Sequence, residues 1–311
     1  MTKISLRQAW ADVMRELAAN DDRIVTVVGD ISHGILQPYA REFPGRYYNI
    51  GICEPTMVGL AAGLSHMGFV PFVHTIAPFL IERSYEQIKL DFGYQRLPVN
   101  LVSVGGSFDY GQLGCSHHTY ADVAMIASIE GSKVFLPGST EELKSLMTAT
   151  YRDEGIKYFR LTENPHGVDL SAHTVLPGKG ILVQPGSDVT VIALGPQLKT
   201  AVEVAKKLEP KISVEVIYVH TFQPFDEEIV RQSIEKTGSF VSIEELGPQG
   251  GLFHATLTAV AGVPLRGYKH LAVQGFVSGY GTYEDLKAAA KISSADLEAA
   301  VIEAHSRHAV V

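Results

Sequence analysis

Cysteine is scarce in this chain: two residues, Cys53 and Cys115, among 311. They form no CxxC pair, and two thiols cannot make a disulfide framework. A thiolate metal site and a disulfide-stapled fold are both excluded. Cations are also in the minority, with 26 Lys and Arg against 34 Asp and Glu, a net charge of -8 and a pI of about 5.8. Without a basic excess, neither nucleic acid nor an anionic membrane is an expected partner. Charged residues of all kinds make up only 19%. So little polar surface points to faces buried between subunits. No apolar run reaches membrane-spanning length. The segment MTKISLRQAWADVM lacks the apolar centre of a signal peptide, so the expected compartment is a reducing cytoplasm. No GxGxxG or GxxxxGK[ST] cradle follows a strand-like run, which removes two glycine-rich phosphate sites from consideration.

What is present reads as globular. Hydrophobic residues make up 46%, enough to build a core in each of two ordinary domains. Short runs rich in β-branched residues predict strands at 23–28, 70–74, 100–104, 133–136, 188–194, 213–220 and 239–244. Apolar periodicity predicts helices at 5–18, 55–66, 79–90, 141–152, 198–208 and 253–261. Strand and helix take turns, and the strands read as continuous apolar runs. That is the pattern of an α/β protein with mainly parallel sheets flanked by helices. The Gly-, Pro- and Ser-rich segment 172–188 interrupts the series, and a fresh one follows it. Two domains are expected, 1–180 and 181–311.

Three stretches could carry chemistry. In NIGICEPTMVGLAAGLSHMGF, residues 49–69, Glu54 stands where a short strand-like run gives way to a helix. No cation lies beside it in sequence. One reading is a first-turn acid that stabilises its helix by about 0.3–1 kcal/mol. The other is a buried carboxyl that keeps or shares a proton and hydrogen-bonds a ligand nitrogen. Gly59 and Gly63 are spaced for close helix packing, which favours burial. The second stretch is the loop GGSFDYGQLGCSHHTY, residues 105–120. It follows a strand, where a parallel sheet places its site. His117 and His118 are adjacent, so one can face a pocket while the other packs. No further ligands stand at zinc spacing, and no metal site is expected. The third is HTIAPFLIERSYEQI, residues 74–88. Ile76 and Phe79 form an apolar shelf, either core or a bed for a flat ring, and His74 could line the same pocket. Cys53 and Cys115 are expected as small packed thiols, His66 at a helix end, and His254 and His270 as structural or interfacial groups.

These stretches, with LPGSTEEL, YFRL, HTFQPFD and VSIEELGPQGGL, follow one another in an order that resembles the C-terminal half of transketolase over nearly the whole chain. The resemblance implies a pyrimidine-binding α/β domain followed by the transketolase C-terminal α/β domain. The family's first domain holds thiamine diphosphate by its tail with Mg²⁺. No GDG segment of that kind occurs here. The resemblance therefore implies the second subunit of a split transketolase, active only with a separate N-terminal subunit that carries the diphosphate and Mg²⁺ site, in an α₂β₂ assembly.

By the same resemblance, Glu54 falls on the glutamate that bonds N1′ of the aminopyrimidine and so activates the cofactor. Phe79 falls on or beside the ring that stacks on it, with Ile76 and Ile52 as further cofactor contacts. His117 falls on the histidine that touches substrate oxygens, and Arg7, His33 and Arg160 on the sugar-binding side. The reaction implied is transfer of a two-carbon ketol unit from a ketose to an aldose. Four departures concern substrate. Gly34, Gly105, Leu113 and, within a residue or two, Glu163 stand where the family has Ser, His, Asp and a second Arg. A carboxylate beside a phosphate dianion is repulsive. A modified sugar, branched, deoxy or sulfonated, is expected, with Arg160 as a compensating cation and glyceraldehyde 3-phosphate still open as acceptor through Arg7, His33 and partner-chain residues. The rival readings are the β subunit of a 2-oxo acid dehydrogenase, a 1-deoxyxylulose-5-phosphate synthase-like enzyme and a non-catalytic interaction subunit. The SHH loop and the QPFD and EELGPQGGL strings argue against the first, the usual single fused chain against the second, and retention of Glu54 and His117 against the third.

Overall fold

A computed structural model describes residues 5–306. The chain divides into two compact units. One takes the residues up to Tyr110 with Ser116–Pro165, and the other takes Gly111–Cys115 with the residues from His166 on.

The first unit holds strands β1 (Ile24–Val28), β2 (Tyr47–Asn49), β3 (Val70–Ile76), β4 (Val99–Val104), β5 (Lys133–Phe135) and β6 (Ile156–Arg160). They lie in the order β5-β6-β4-β3-β1-β2, and every pairing is parallel. Every residue of β1, β4 and β6 is buried, as the continuous apolar runs require. Its helices are α1 (Leu6–Ala18), α2 (His33–Glu42), α3 (Glu54–His66), the short α4 (Tyr85–Gln87), α5 (Asp122–Ala127) and α6 (Thr140–Thr150). Ser5 caps α1 by accepting from the Gln8 amide at 3.2 Å. The buried face of α1, Leu6, Trp10, Val13, Met14 and Leu17, packs against α2 and α6. Fully burying side chains such as Val27 or Leu101 stabilises by about 1.5–3 kcal/mol each.

The second unit holds β7 (Ile181–Gln184), β8 (Val189–Leu194), β9 (Val214–Val219), a short β10 (Thr221–Gln223), β11 (Ser239–Ile243) and β12 (Gly267–Leu271). Five of them run in the order β12-β11-β8-β9-β7, with β7 alone antiparallel. Helices α7 (Leu198–Leu208), α8 (Glu227–Thr237), α9 (Leu252–Ala259), α10 (Tyr283–Ala289) and α11 (Ser294–Ser306) complete it. After β11, the buried Glu244 accepts from the Leu252 and Phe253 amides at 2.6 and 3.1 Å and so caps α9. His270 bonds the same carboxylate at 2.8 Å, and Phe253 stacks on its ring at 4.5 Å. A Cβ at Gly251 would stand 2.2 Å from Glu244 Oε2, so the carboxylate can approach only a glycine there. His270 is thus built into the packing. Among the described residues no helix is long and apolar enough to cross a membrane.

Two predicted elements differ. The strand-like run expected just before Glu54 lies earlier, since β2 ends at Asn49. Gly51 turns away at φ +84°, and Asn49 Oδ1 accepts from the Gly51 amide at 3.1 Å. The helix predicted at 79–90 is not regular. Wide turns with i→i+5 hydrogen bonds, Pro78–Glu82 and Ile88–Tyr94, flank the short α4.

His74 is fully buried at the end of β3, against Trp10 at 4.2 Å. Nδ1 lies 2.8 Å from the Val102 carbonyl and Nε2 2.8 Å from the Ser32 hydroxyl. The carbonyl fixes the tautomer, so Nδ1 donates and Nε2 accepts. Burial pushes its pKa down to about 4. Below the ordinary value of about 6.5, the unfolded chain takes up a proton that the folded chain refuses. Stability is therefore flat above that value and falls as the pH drops from 6.5 toward 4, by about 3 kcal/mol in all. Urea unfolding followed by Trp10, the sole tryptophan, should show this loss, and His74→Gln should flatten it.

Candidate active site

Because the first unit's strands all run one way, their carboxyl ends open on one edge. Glu54 is the first residue of α3, just past β2, and is 1% exposed. The sequence shows no cation nearby, yet the structure supplies one. Arg83 Nη1, 29 residues on, donates to Glu54 Oε2 at 2.8 Å. The expectation of a carboxyl without a counter-ion is thereby corrected, because the loop after β3 brings the guanidinium across. The second oxygen, Oε1, is buried and, among the described residues, has no hydrogen-bond partner. An unmet buried acceptor costs about 1–3 kcal/mol, so this atom is poised for a donor from outside the chain.

The Arg83 guanidinium also lies over the Phe79 ring, 4.3 Å from its centre. The wide turn sets this geometry: the Arg83 amide reaches back to the Pro78 carbonyl at 3.1 Å. The edge of His117 meets Phe79 at 5.2 Å and Tyr110 at 6.5 Å. His117 is half-buried, with Ser116 Oγ 3.0 Å from its Nδ1. Its neighbour His118 is buried against Phe108, and that burial pushes its pKa down. Ile76, half-buried, ends β3, and Ile52 is 71% exposed just before α3.

Past Tyr110, Arg7 Nη2 lies 3.2 Å from Glu163 Oε1. Burial pushes the Tyr110 hydroxyl up to about 12, with Arg7 opposing and Glu163 and Asp109 adding to the shift. Glu54, Arg83, Phe79, His117, Tyr110 and the Arg7–Glu163 pair thus form one row. His33 stands exposed in the first turn of α2, 3.2 Å from Gln37. Arg160 departs from expectation. It is buried at the end of β6, donating from Nε to Asp122 at 2.8 Å and from Nη2 to the Thr119 carbonyl at 3.3 Å. A Cβ at Gly106 would lie 2.4 Å from its Nε. The guanidinium is packed into the base of the loop. The packed-thiol reading also fails for Cys115, which is exposed, while Cys53 is half-buried. Among the described residues no group of three or more His, Cys, Asp or Glu could hold a metal ion.

Sequence reasoning missed Arg83, Tyr110 and Asp109. Arg83 lies four residues after Phe79, a spacing that puts two side chains on one helical face. Asp109 and Tyr110 carry no sequence signal beyond their place in the glycine-rich loop.

The chain matches the pyrimidine-binding domain of transketolase over residues 2–166 and the transketolase C-terminal domain over residues 178–297. It is 33% identical over 267 residues to a 6-deoxy-6-sulfo-D-fructose transketolase subunit of Clostridium sp. (strain MSTE9), covering 84% of this chain and 83% of the relative. It is 31% identical over 253 residues to an apulose-4-phosphate transketolase subunit of Phocaeicola vulgatus, covering 80% and 81%. A solved split-gene transketolase chain, described as an inactive beta4 tetramer, superposes with a TM-score of 0.88 at 30% identity, over 97% of this chain and 99% of that one.

The ion pair has a measurable consequence. Arg83→Ala leaves Glu54 buried without its cation and should cost roughly 2–3 kcal/mol. That is less than a fully buried pair would lose, because the Arg83 side chain is 45% exposed. Adding Glu54→Gln should recover part of the loss. Urea unfolding of both single variants and the double variant reads the coupling directly.

Proposed function

The chain belongs to the transketolase family, carrying its pyrimidine-binding and C-terminal domains, and on that footing we propose that it is the second subunit of a two-component ketol transferase. Residues 1–180 form the pyrimidine-binding part and 181–311 the C-terminal part. The family depends on thiamine diphosphate, which supplies the electron sink that lets a bond beside a carbonyl break. The diphosphate and Mg²⁺ are held by an N-terminal partner subunit, in an α₂β₂ assembly in the cytoplasm. Two observations from relatives support the partner. Both sequence relatives are named as subunits, and this chain spans 83% and 81% of them. The solved relative is a tetramer of one chain type and is inactive.

The observation that carries the reading is the orphaned Oε1 of Glu54 beside the Phe79 ring. The cofactor's aminopyrimidine has the two features this corner lacks, a ring nitrogen that can share a proton and a flat face. The residues fit it. With the aminopyrimidine bound, Glu54 would share a proton with its N1′ through Oε1, while Arg83 holds Oε2. Phe79, Ile76 and Ile52 would bed the ring. His117 is turned edge-on to Phe79 and steers the substrate's oxygens by hydrogen bonds. Arg7 and His33 lie further along the substrate's path. In the overall reaction the C2–C3 bond of a ketose breaks, and its first two carbons join the aldehyde carbon of an acceptor. The substrate is a modified sugar, which accords with relatives named for sulfofructose and apulose phosphate.

Reconstitution with the partner, thiamine diphosphate and Mg²⁺ tests this. Glu54→Gln should lower kcat by about 10²–10⁴ with little loss of assembly, and a fully active Glu54→Gln complex would sink the reading. Xylulose 5-phosphate and ribose 5-phosphate should turn over well below ordinary transketolase rates. Rates equal to those would sink the modified-sugar assignment.

A further inference from the structure

One end of the row of site residues is an ion pair whose charge is out of keeping with a phosphate. Arg7 comes from the first turn of α1, and Glu163 from the loop after β6. Their contact is 3.2 Å, and their side chains are 27% and 29% exposed. Both remain accessible to a ligand. We propose that the Arg7–Glu163 pair binds the hydroxyl-bearing, uncharged end of the sugar, so that the enzyme selects unphosphorylated chains. This rests on the ketol-transfer reading above.

Glu163 is not a chance visitor to Arg7. Asp109 pins its loop by three hydrogen bonds. Its Oδ2 accepts from the Glu163 amide at 3.0 Å. Its Oδ1 accepts from the Asn164 side chain at 2.8 Å and from the Thr162 hydroxyl at 3.2 Å. Swinging the loop away would break all three bonds. Tyr110 adds a further neighbour, its ring 6.5 Å from His117 and its hydroxyl within the electrostatic reach of Arg7 and Glu163. Its hydroxyl stays protonated at any physiological pH and so remains a neutral donor and acceptor. The Tyr110 ring also fills the space over Gly105, where a Cβ would stand 2.3 Å from it. No basic side chain can enter from that position to strengthen the anion side.

A phosphate dianion needs more than one cation or several free donors. Here the Arg7 guanidinium already faces a carboxylate, with the Asp109 carboxylate behind it. A dianion would have to displace Glu163 and then remain beside it. A hydroxyl or a diol meets no such conflict, since one oxygen can accept from Arg7 and donate to Glu163 at once. Glu163 then acts both as a contact for the neutral sugar and as a repulsive element against its phosphorylated analogue.

The test uses the reconstituted two-chain enzyme with hydroxypyruvate as ketol donor and D-glyceraldehyde or D-glyceraldehyde 3-phosphate as acceptor. Wild type should favour glyceraldehyde in kcat/KM by about tenfold or more, and Glu163→Gln should shift the ratio toward the phosphate by about tenfold, mainly through KM. Glu163→Arg should shift it further. Calorimetric titration with inorganic phosphate gives an arm that needs no turnover: wild type should bind none, and Glu163→Arg should bind it. A wild type that prefers the phosphorylated acceptor, with a ratio unmoved in Glu163→Gln, overturns the proposal. So does phosphate binding to wild type that Glu163→Gln leaves unchanged. Absence of turnover with both acceptors would instead count against the ketol-transfer reading, and the titration would still decide on the pair.

Discussion

Parallel pairing is the constraint from which the site follows. Six strands of the first unit run in one direction, so the chain must leave each of them on the same edge. Residues remote in sequence are gathered there without any long-range design beyond strand order. Ser32 follows β1, Glu54 follows β2, Phe79 and Arg83 follow β3, Tyr110 and His117 follow β4, and Glu163 follows β6. The amino ends of the same strands carry a different load. There, Lys157 is buried near the start of β6 with its ammonium donating to the carbonyls of Asp153 and Gly155, and burial pulls its pKa down to about 7. That group organises a turn, whereas the carboxyl-end groups line the candidate site.

The two ion pairs in the row behave differently because their settings differ. The Glu54 carboxylate is sealed and its guanidinium half open, so the pair holds one oxygen still and leaves the other unmet. In the Arg7–Glu163 pair both members are partly open, while Asp109 holds the Glu163 backbone from behind. The first fixes a position, and the second sets a charge balance. A carboxylate and an arginine meet in both, yet burial decides which property matters.

Much of this is legible in the sequence. The apolar runs of β1, β4, β8, β9 and β11 set the strand positions within a residue or so, since both faces of those strands are covered. β6 is hard to see as a strand because Lys157 and Arg160 break its apolar run, although both are buried. β7 is hidden in a Gly- and Pro-rich stretch, as a short edge strand readily is. Glu54 stands out, but its cation does not, for the partner stands 29 residues away across a loop. Arg160 reads as a ligand-side residue on motif alone. Its burial against Asp122 depends on strand neighbours that local sequence does not reveal.

The wide turn at Pro78–Glu82 has an implication for how this site tolerates change. Side chains on a helix advance by about 100° per residue. The length of that turn sets where Arg83 stands over Phe79 and against Glu54. Removing one residue would rotate everything downstream by that angle and separate the three groups, whatever side chains were kept. The segment can therefore drift in composition far more freely than in length, and its residue count is as much a part of the site as any carboxylate in it.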